Sequence, residues 1–180
     1  TVIVVVIFSP FGVSSNVYFY EIGGGFEGQR GLGIYNIGKY IKMFGLGQKT
    51  GIDLPGEEEG TIPSPEWKAE NFNGEVWRIG DTYNTAIGQY GFQVTPIQMA
   101  RAVAAIARGG ILVTPHVLSR ISGETSEVLS QETKIDISGD YFTIVQEGMR
   151  KVGLGGSGSA LTTFGVTVAA KTGTAELGVT

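Results

Sequence analysis

Cysteine is absent from the 180 residues and histidine occurs once. The first absence excludes a thiolate nucleophile, a cysteine-ligated metal and a disulfide framework; it accords with an enzyme working outside the cytoplasm without requiring one. The second leaves only His116, beside Pro115 in "VTPHV", with no acidic cluster near it in sequence. A lone histidine so placed reads as a surface or packing residue, and a Ser-His-Asp triad of the ordinary kind is excluded. No metal site is expected, and any acyl-transfer chemistry has to draw its proton handling from lysine. An excess of basic charge is lacking too: 13 Lys and Arg stand against 17 Asp and Glu, a net charge of −4. Nucleic acid is therefore not an expected partner. A run of membrane-spanning length is also missing. The opening "TVIVVVIF" has eight residues before Ser9 and Pro10, where a span needs about 20, and it lacks the basic start of a signal peptide. It reads as a buried strand or helix segment.

What the chain has in plenty is glycine, 29 residues, which divides it into short elements. In "IYNIGKYIKMF", residues 34–44, Ile34, Ile37, Ile41 and Phe44 fall at helical spacing, with Gly45 and Gly47 placed to end the helix. The stretch from 51 to 75 mixes Pro, Gly and acids without a period and reads as a long surface connection. "TPIQMARAVAAIARGG" predicts a helix with Thr95 as N-cap, Pro96 first and Gly109 past its end. Ile97, Ala100, Ala104 and Ala107 would form its packed side. A further helix is expected from about Asp140 to Val152, burying Phe142, Val145, Met149 and Val152, before a flexible turn at "GLGGSGSA". Residues 164–176, "FGVTVAAKTGTAE", alternate as a strand, with Val166, Val168 and Ala170 on one face and Thr167, Ala169 and Lys171 on the other. With helices before a late strand and no regular β-α-β alternation, the fold class is α+β.

Three stretches invite a nucleotide reading. "GGGFEG" at 23–28 and "GLGGSG" at 153–158 match G-x-G-x-x-G, but neither opens a β-α-β unit. "GVTVAAKT" at 165–172 would be a phosphate loop but for Ala170 in place of glycine, and Val166, Thr167 and Val168 favour extended chain over a curl around an anion. No nucleotide or other cofactor is expected.

The Lys-Thr-Gly at Lys171, Thr172 and Gly173 gains meaning beside the Ser-x-Asn at Ser14, Ser15 and Asn16. Together they resemble two of the three signature motifs of the penicillin-recognising serine enzymes. The text between them, with "PSPEWK", "IGDTYNTAIGQYGFQVTPIQMARAVAAIARGG" and "AAKTGTAE", is similar in order and wording to the transpeptidase domain of class B penicillin-binding proteins, the elongation type above all. The resemblance covers about residues 13–177 and leaves 1–12 unassigned. It implies the penicillin-binding protein and serine β-lactamase-like transpeptidase fold, here as one partial domain over 1–180. It also implies roles. Lys171 supplies fixed positive charge and eases proton transfer, and Ser14 relays a proton to the leaving amine. Asn16 hydrogen-bonds the substrate peptide, and the Thr172 and Thr174 hydroxyls bind its carboxylate. Gly173 admits substrate backbone, and the Thr174 amide is an oxyanion donor. From the residues alone, Ser14 and Asn16 also suit a helix cap ahead of "VYFYEI", and Asp81 reads as a cap or turn residue starting the helix behind the site.

The family's third motif, Ser-x-x-Lys, is not in the sequence: three residues before each lysine stand Asn36, Lys39, Leu46, Pro65, Gln131, Gly148 and Val168. The resemblance places that motif upstream of Ser-x-Asn and further strands after the Lys-Thr-Gly, so the chain is expected to be cut at both ends, inactive alone, and prone to self-association through an unpaired strand edge. The implied function is a fragment of a peptidoglycan D,D-transpeptidase. Its partners would be D-Ala-D-Ala stem peptides, β-lactams and a membrane glycosyltransferase of the elongation machinery, on the extracytoplasmic face of the bacterial inner membrane behind an N-terminal anchor. A noncatalytic stem-peptide or partner-binding module, and a β-lactamase or β-lactam sensor, are the alternatives.

Overall fold

Ser15 opens the first helix, α1 (Asn16–Gly24), by accepting a hydrogen bond from the Tyr18 N–H at 3.4 Å. The cap is thus the middle residue of Ser-x-Asn, and Ser14 and Asn16 flank it. The computed structural model describes residues 12–120 and 130–174; the apolar opening and the last residues of the expected late strand lie outside them. Beyond α1 come a two-residue hairpin, β1 (Gly25–Phe26) and β2 (Gln29–Arg30), and α2 (Ile34–Met43). Then follow α3 (Pro65–Asn71), α4 (Ile79–Ala86), α5 (Pro96–Ala107), β3 (Ile111–Val113), β4 (Glu132–Lys134), α6 (Gly139–Gly155) and a 3-10 turn, Ser159–Phe164. Strands β3 and β4 pair antiparallel with Leu112 opposite Thr133.

The core joins Ala105 of α5, Leu112 of β3, Ile135 just past β4 and Phe142 of α6, with Met43 and Phe44 packed against it. Phe44 and Phe142 lie 6.1 Å apart in tilted contact. Phe142, Met149 and Val152 are buried as expected, and Ile34 and Ile37 are the buried residues of α2. The "GGGFEG" glycines serve packing. A Cβ on Gly23 would stand 2.5 Å from Ala86 Cβ and one on Gly24 2.2 Å from the Tyr83 ring, so α1 lies on α4 at a distance only glycine allows.

Four expectations require correction. Helix α5 turns Gln98, Ala102 and Ala105 inward, a face rotated from Ile97, Ala100, Ala104 and Ala107. Gln98 is fully buried because its amide closes a loop: Nε2 donates to the carbonyls of Gln48, Glu58 and Glu59, and Oε1 accepts from the Gly47 N–H. The stretch 51–75 holds a helix, α3, capped by Ser64 Oγ on the Trp67 N–H at 3.1 Å with Pro65 first. Its seven residues are too few for a period to show. Helix α6 runs on through Gly155, past Val152.

The fourth correction concerns the late strand. Residues 167–173 alternate in burial, with Val168 and Ala170 half-buried and Thr167, Ala169 and Lys171 exposed, but Val166, expected on the same face as Val168 and Ala170, is 68% exposed. Yet no described strand pairs with them; the Ala170 N–H donates instead to the Met149 carbonyl of α6 at 3.0 Å. Alternation reports which side faces the protein, whereas a strand needs a ladder partner as well.

Candidate active site

The two separated motifs meet at one cleft of about 1320 Å³, whose lining includes Ser14, Asn16, Asn84, Lys171, Thr172 and Thr174. Ser14 sits in the turn before α1 with a left-handed backbone, φ 54°, a conformation that non-glycine residues adopt at a cost and that turns the chain sharply into the helix. Lys171 Nζ donates to Ser14 Oγ at 2.6 Å and to the Thr172 carbonyl at 2.8 Å. Although Lys171 stays exposed, partial desolvation at the cleft pushes its ammonium below the ordinary value of 10.5. Asn16 is the first residue of α1 and is exposed at the cleft. Thr172 Oγ1 lies 2.9 Å from Ser157 Oγ. The Thr174 carbonyl accepts from Gln89 Nε2 at 3.1 Å, and a Cβ built on Gly173 would meet no protein atom within 4 Å. All six predicted site residues therefore gather at one place.

The floor beneath this segment is held by a second cluster. Tyr90, next to Gln89, has φ 63°. It is ringed by Trp67 and Trp77 edge-on, each 5.8 Å away, and by Phe72 stacked at 6.1 Å. Lys68, 4 % exposed, points its ammonium at the Tyr90 ring, 5.7 Å from the centroid, and donates to Asp81 at 2.8 Å. Asp81 also accepts from the Arg78 N–H at 2.7 Å, the helix-starting job expected of it. Burial alone would raise the Asp81 pKa, but the hydrogen bonds from Lys68 and Arg78 prevail and hold it below 3.8. The same bond to Asp81 raises Lys68 above 10.5.

His116 sits half-exposed with Nδ1 2.8 Å from the Leu118 carbonyl, in a turn that Asp53 closes by accepting from the Val117 and Leu118 N–H groups. Among the described residues no group of three or more His, Cys, Asp or Glu is placed to hold a metal, and no helix is long and apolar enough to cross a membrane. Sequence reasoning missed Asn84, Gln89 and Ser157. The first two lie in "YNTAIGQY", quoted only as connecting text, and Ser157 lies in a glycine run set aside as a weak nucleotide motif.

Comparison with known proteins bears on this geometry. The family model described as the penicillin binding protein transpeptidase domain matches residues 6–180. The chain belongs to that family. The α+β arrangement of helices and small sheets is accordingly that of a penicillin-binding protein transpeptidase domain, as expected from the two motifs. The peptidoglycan D,D-transpeptidase MrdA of Acinetobacter baumannii is 36% identical over 169 residues, covering 92% of this chain and 24% of that protein. Stage V sporulation protein D of Bacillus subtilis is 35% identical over 170 residues, 91% of this chain and 24% of its own length. Among solved structures, the complex between Penicillin-Binding Protein (PBP2) and MreC from Helicobacter pylori superposes with a TM-score of 0.76 at 34% identity, covering 94% of this chain and 30% of that one. The chain thus spans about a quarter of the length of these curated relatives.

Proposed function

We propose that this chain forms the substrate-binding and proton-relay half of a peptidoglycan D,D-transpeptidase site, the acylated serine being supplied by residues outside the 180. The observation that carries the reading is the 2.6 Å contact from Lys171 Nζ to Ser14 Oγ in the cleft that Asn16, Thr172 and Thr174 share. In acyl transfer a serine attacks the penultimate D-Ala carbonyl, the terminal D-Ala leaves as an amine, and an amine of a second stem peptide takes the acyl group. The leaving amine needs a proton. Ser14 can give one, because its oxygen accepts from the Lys171 ammonium while its own hydrogen is free to be donated and then replaced. Partial desolvation makes the Lys171 ammonium a stronger acid, which favours that replacement.

The remaining roles follow from placement. Thr172 and Thr174 present hydroxyls to the terminal carboxylate near the Lys171 charge, and the Thr174 N–H stabilises the oxyanion. Asn16 bonds the substrate amide, and the open space over Gly173 admits substrate backbone. A stem-peptide substrate places the enzyme on the outer face of the inner membrane, held by an N-terminal anchor. A glycan-polymerising membrane enzyme is the natural partner, since the strands cross-linked have to be made beside the site. The test is intact mass after incubation with a penicillin. The whole protein containing this chain gains one adduct on a serine in Ser-x-x-Lys, and the 180-residue chain alone gains none. Absence of an adduct on the whole protein would favour a noncatalytic binding module instead.

A further inference from the structure

The glycine run "GLGGSG" at 153–158 plays no part in the acyl-transfer chemistry just described. Its position is nonetheless particular. Gly153, in the last turn of α6, faces the Lys171 segment so closely that a Cβ would come within 2.8 Å of the Val168 carbonyl. Gly156 faces the Ser14 segment in the same way, with a Cβ at 2.2 Å from the Gly12 carbonyl. Ser157 joins the two: its N–H donates to that Gly12 carbonyl at 2.9 Å, and its Oγ pairs with Thr172 Oγ1 at 2.9 Å. The loop is tied to its own helix by Gly158 N–H on the Val152 carbonyl at 3.1 Å. One loop therefore contacts the chain two residues before Ser14 and one residue after Lys171.

We propose that segment 153–158, the end of α6 and the turn after it, is a clamp that sets the register between the Ser14 and Lys171 segments, and that Ser157 is a positioning residue that orients the Thr172 hydroxyl toward a substrate carboxylate. The second half rests on the transpeptidase reading above. A threonine hydroxyl can donate only one hydrogen, and it rotates freely unless its oxygen is engaged. When Ser157 donates to Thr172 Oγ1, the Thr172 hydrogen is left to point away from Ser157, into the cleft, where an anion accepts it. The clamp matters because a misplacement of about 1 Å between reacting groups costs on the order of 100-fold in rate. Residues 12–14 and 168–171 lie far apart in the chain and meet through the Lys171–Ser14 hydrogen bond, so a segment that touches the backbone of both adds the constraint that bond lacks. Gly153 and Gly156 allow that touch because any side chain would hold the segments apart.

The test uses the whole protein containing this chain. Ser157→Ala should melt close to wild type and be acylated about tenfold more slowly by a penicillin with a free carboxylate, the loss of one hydrogen bond to a charge-binding hydroxyl. Its slower reaction with the methyl ester of the same penicillin should be unchanged, and Ser157→Thr should restore the preference for the acid. An equal loss on acid and ester, or no loss on either, overturns the role of Ser157. For the clamp, Gly156→Ala should speed amide hydrogen exchange in residues 12–16 and 168–172 together; unaltered exchange in either segment overturns it. Exchange is read without catalysis. A wild-type protein that forms no adduct would therefore refute the transpeptidase reading, and with it the carboxylate role of Ser157, while exchange still decides the clamp.

Discussion

Two lysines in this chain hold their charge in different settings, Lys68 buried and Lys171 at the cleft surface. Lys171 has a hydroxyl and a carbonyl as its acceptors, and partial desolvation lowers its pKa. Lys68 has the Asp81 carboxylate at 2.8 Å and an aromatic face, and its pKa is raised. The first keeps an acidic ammonium next to a hydroxyl, as the proposed relay requires, and the second keeps a permanent charge. The sign of the pH effect follows. Asp81 is held below 3.8 in the folded protein, so its contribution is complete above 3.8 and is lost as pH falls through the folded value. Lys68 is raised above 10.5, so its contribution is complete below 10.5 and is lost as pH rises through its folded value. Between those limits the pair is fully formed. Asp81→Asn should lower the melting temperature by several degrees at pH 7 and should flatten the acid limb of the stability curve that wild type shows below 3.8. Thermal melts across pH in both proteins check it.

At the scale of elements, Gln98 shows how a helix can bury an amide without loss. Three loop carbonyls, from Gln48, Glu58 and Glu59, share the two hydrogens of its Nε2, which fixes the chain between α2 and α3 onto α5. Gln98→Ala should cost roughly 1 to 3 kcal/mol, because a fully buried side chain and the hydrogen bonds that hold the Gln48, Glu58 and Glu59 carbonyls are lost together. The midpoint of urea unfolding measures it, and the slope should stay as in wild type. Helices α2, α5 and α6 were legible because each is long enough for its apolar spacing to repeat and carries its own end signals, such as Thr95 and Pro96. Helix α3 was not, although Ser64 and Pro65 announce its start. The face of α5 was misjudged because hydropathy ranks alanine and isoleucine above glutamine, and only the loop carbonyls make the glutamine the inward residue.

On the scale of the whole molecule, the Lys171 segment leans on α6 through one backbone bond, Ala170 to Met149, and no described strand continues its ladder. Val166 beside it is 68% exposed. An extended segment of this kind recruits a partner edge where it can. The 180-residue chain should therefore associate as its concentration rises; sedimentation velocity over a hundredfold range would show the mean mass increasing, and a single sharp monomer throughout would refute it.

By itself the sequence determined the family. The absence of cysteine and the single isolated histidine narrowed the options, and the Lys-Thr-Gly, the Ser-x-Asn and the wording between them marked the family, from which the expected lysine-assisted chemistry follows. It also determined the longer helices, since periodic burial is a local property. Only the tertiary structure decided that Lys171 reaches Ser14 across 157 positions. The same holds for Lys68, whose buried charge is matched by Asp81, and for Ser157, which stands between the two motifs. These are contacts between residues far apart in the chain, whose partners depend on how helices and loops pack, and no local spacing encodes them.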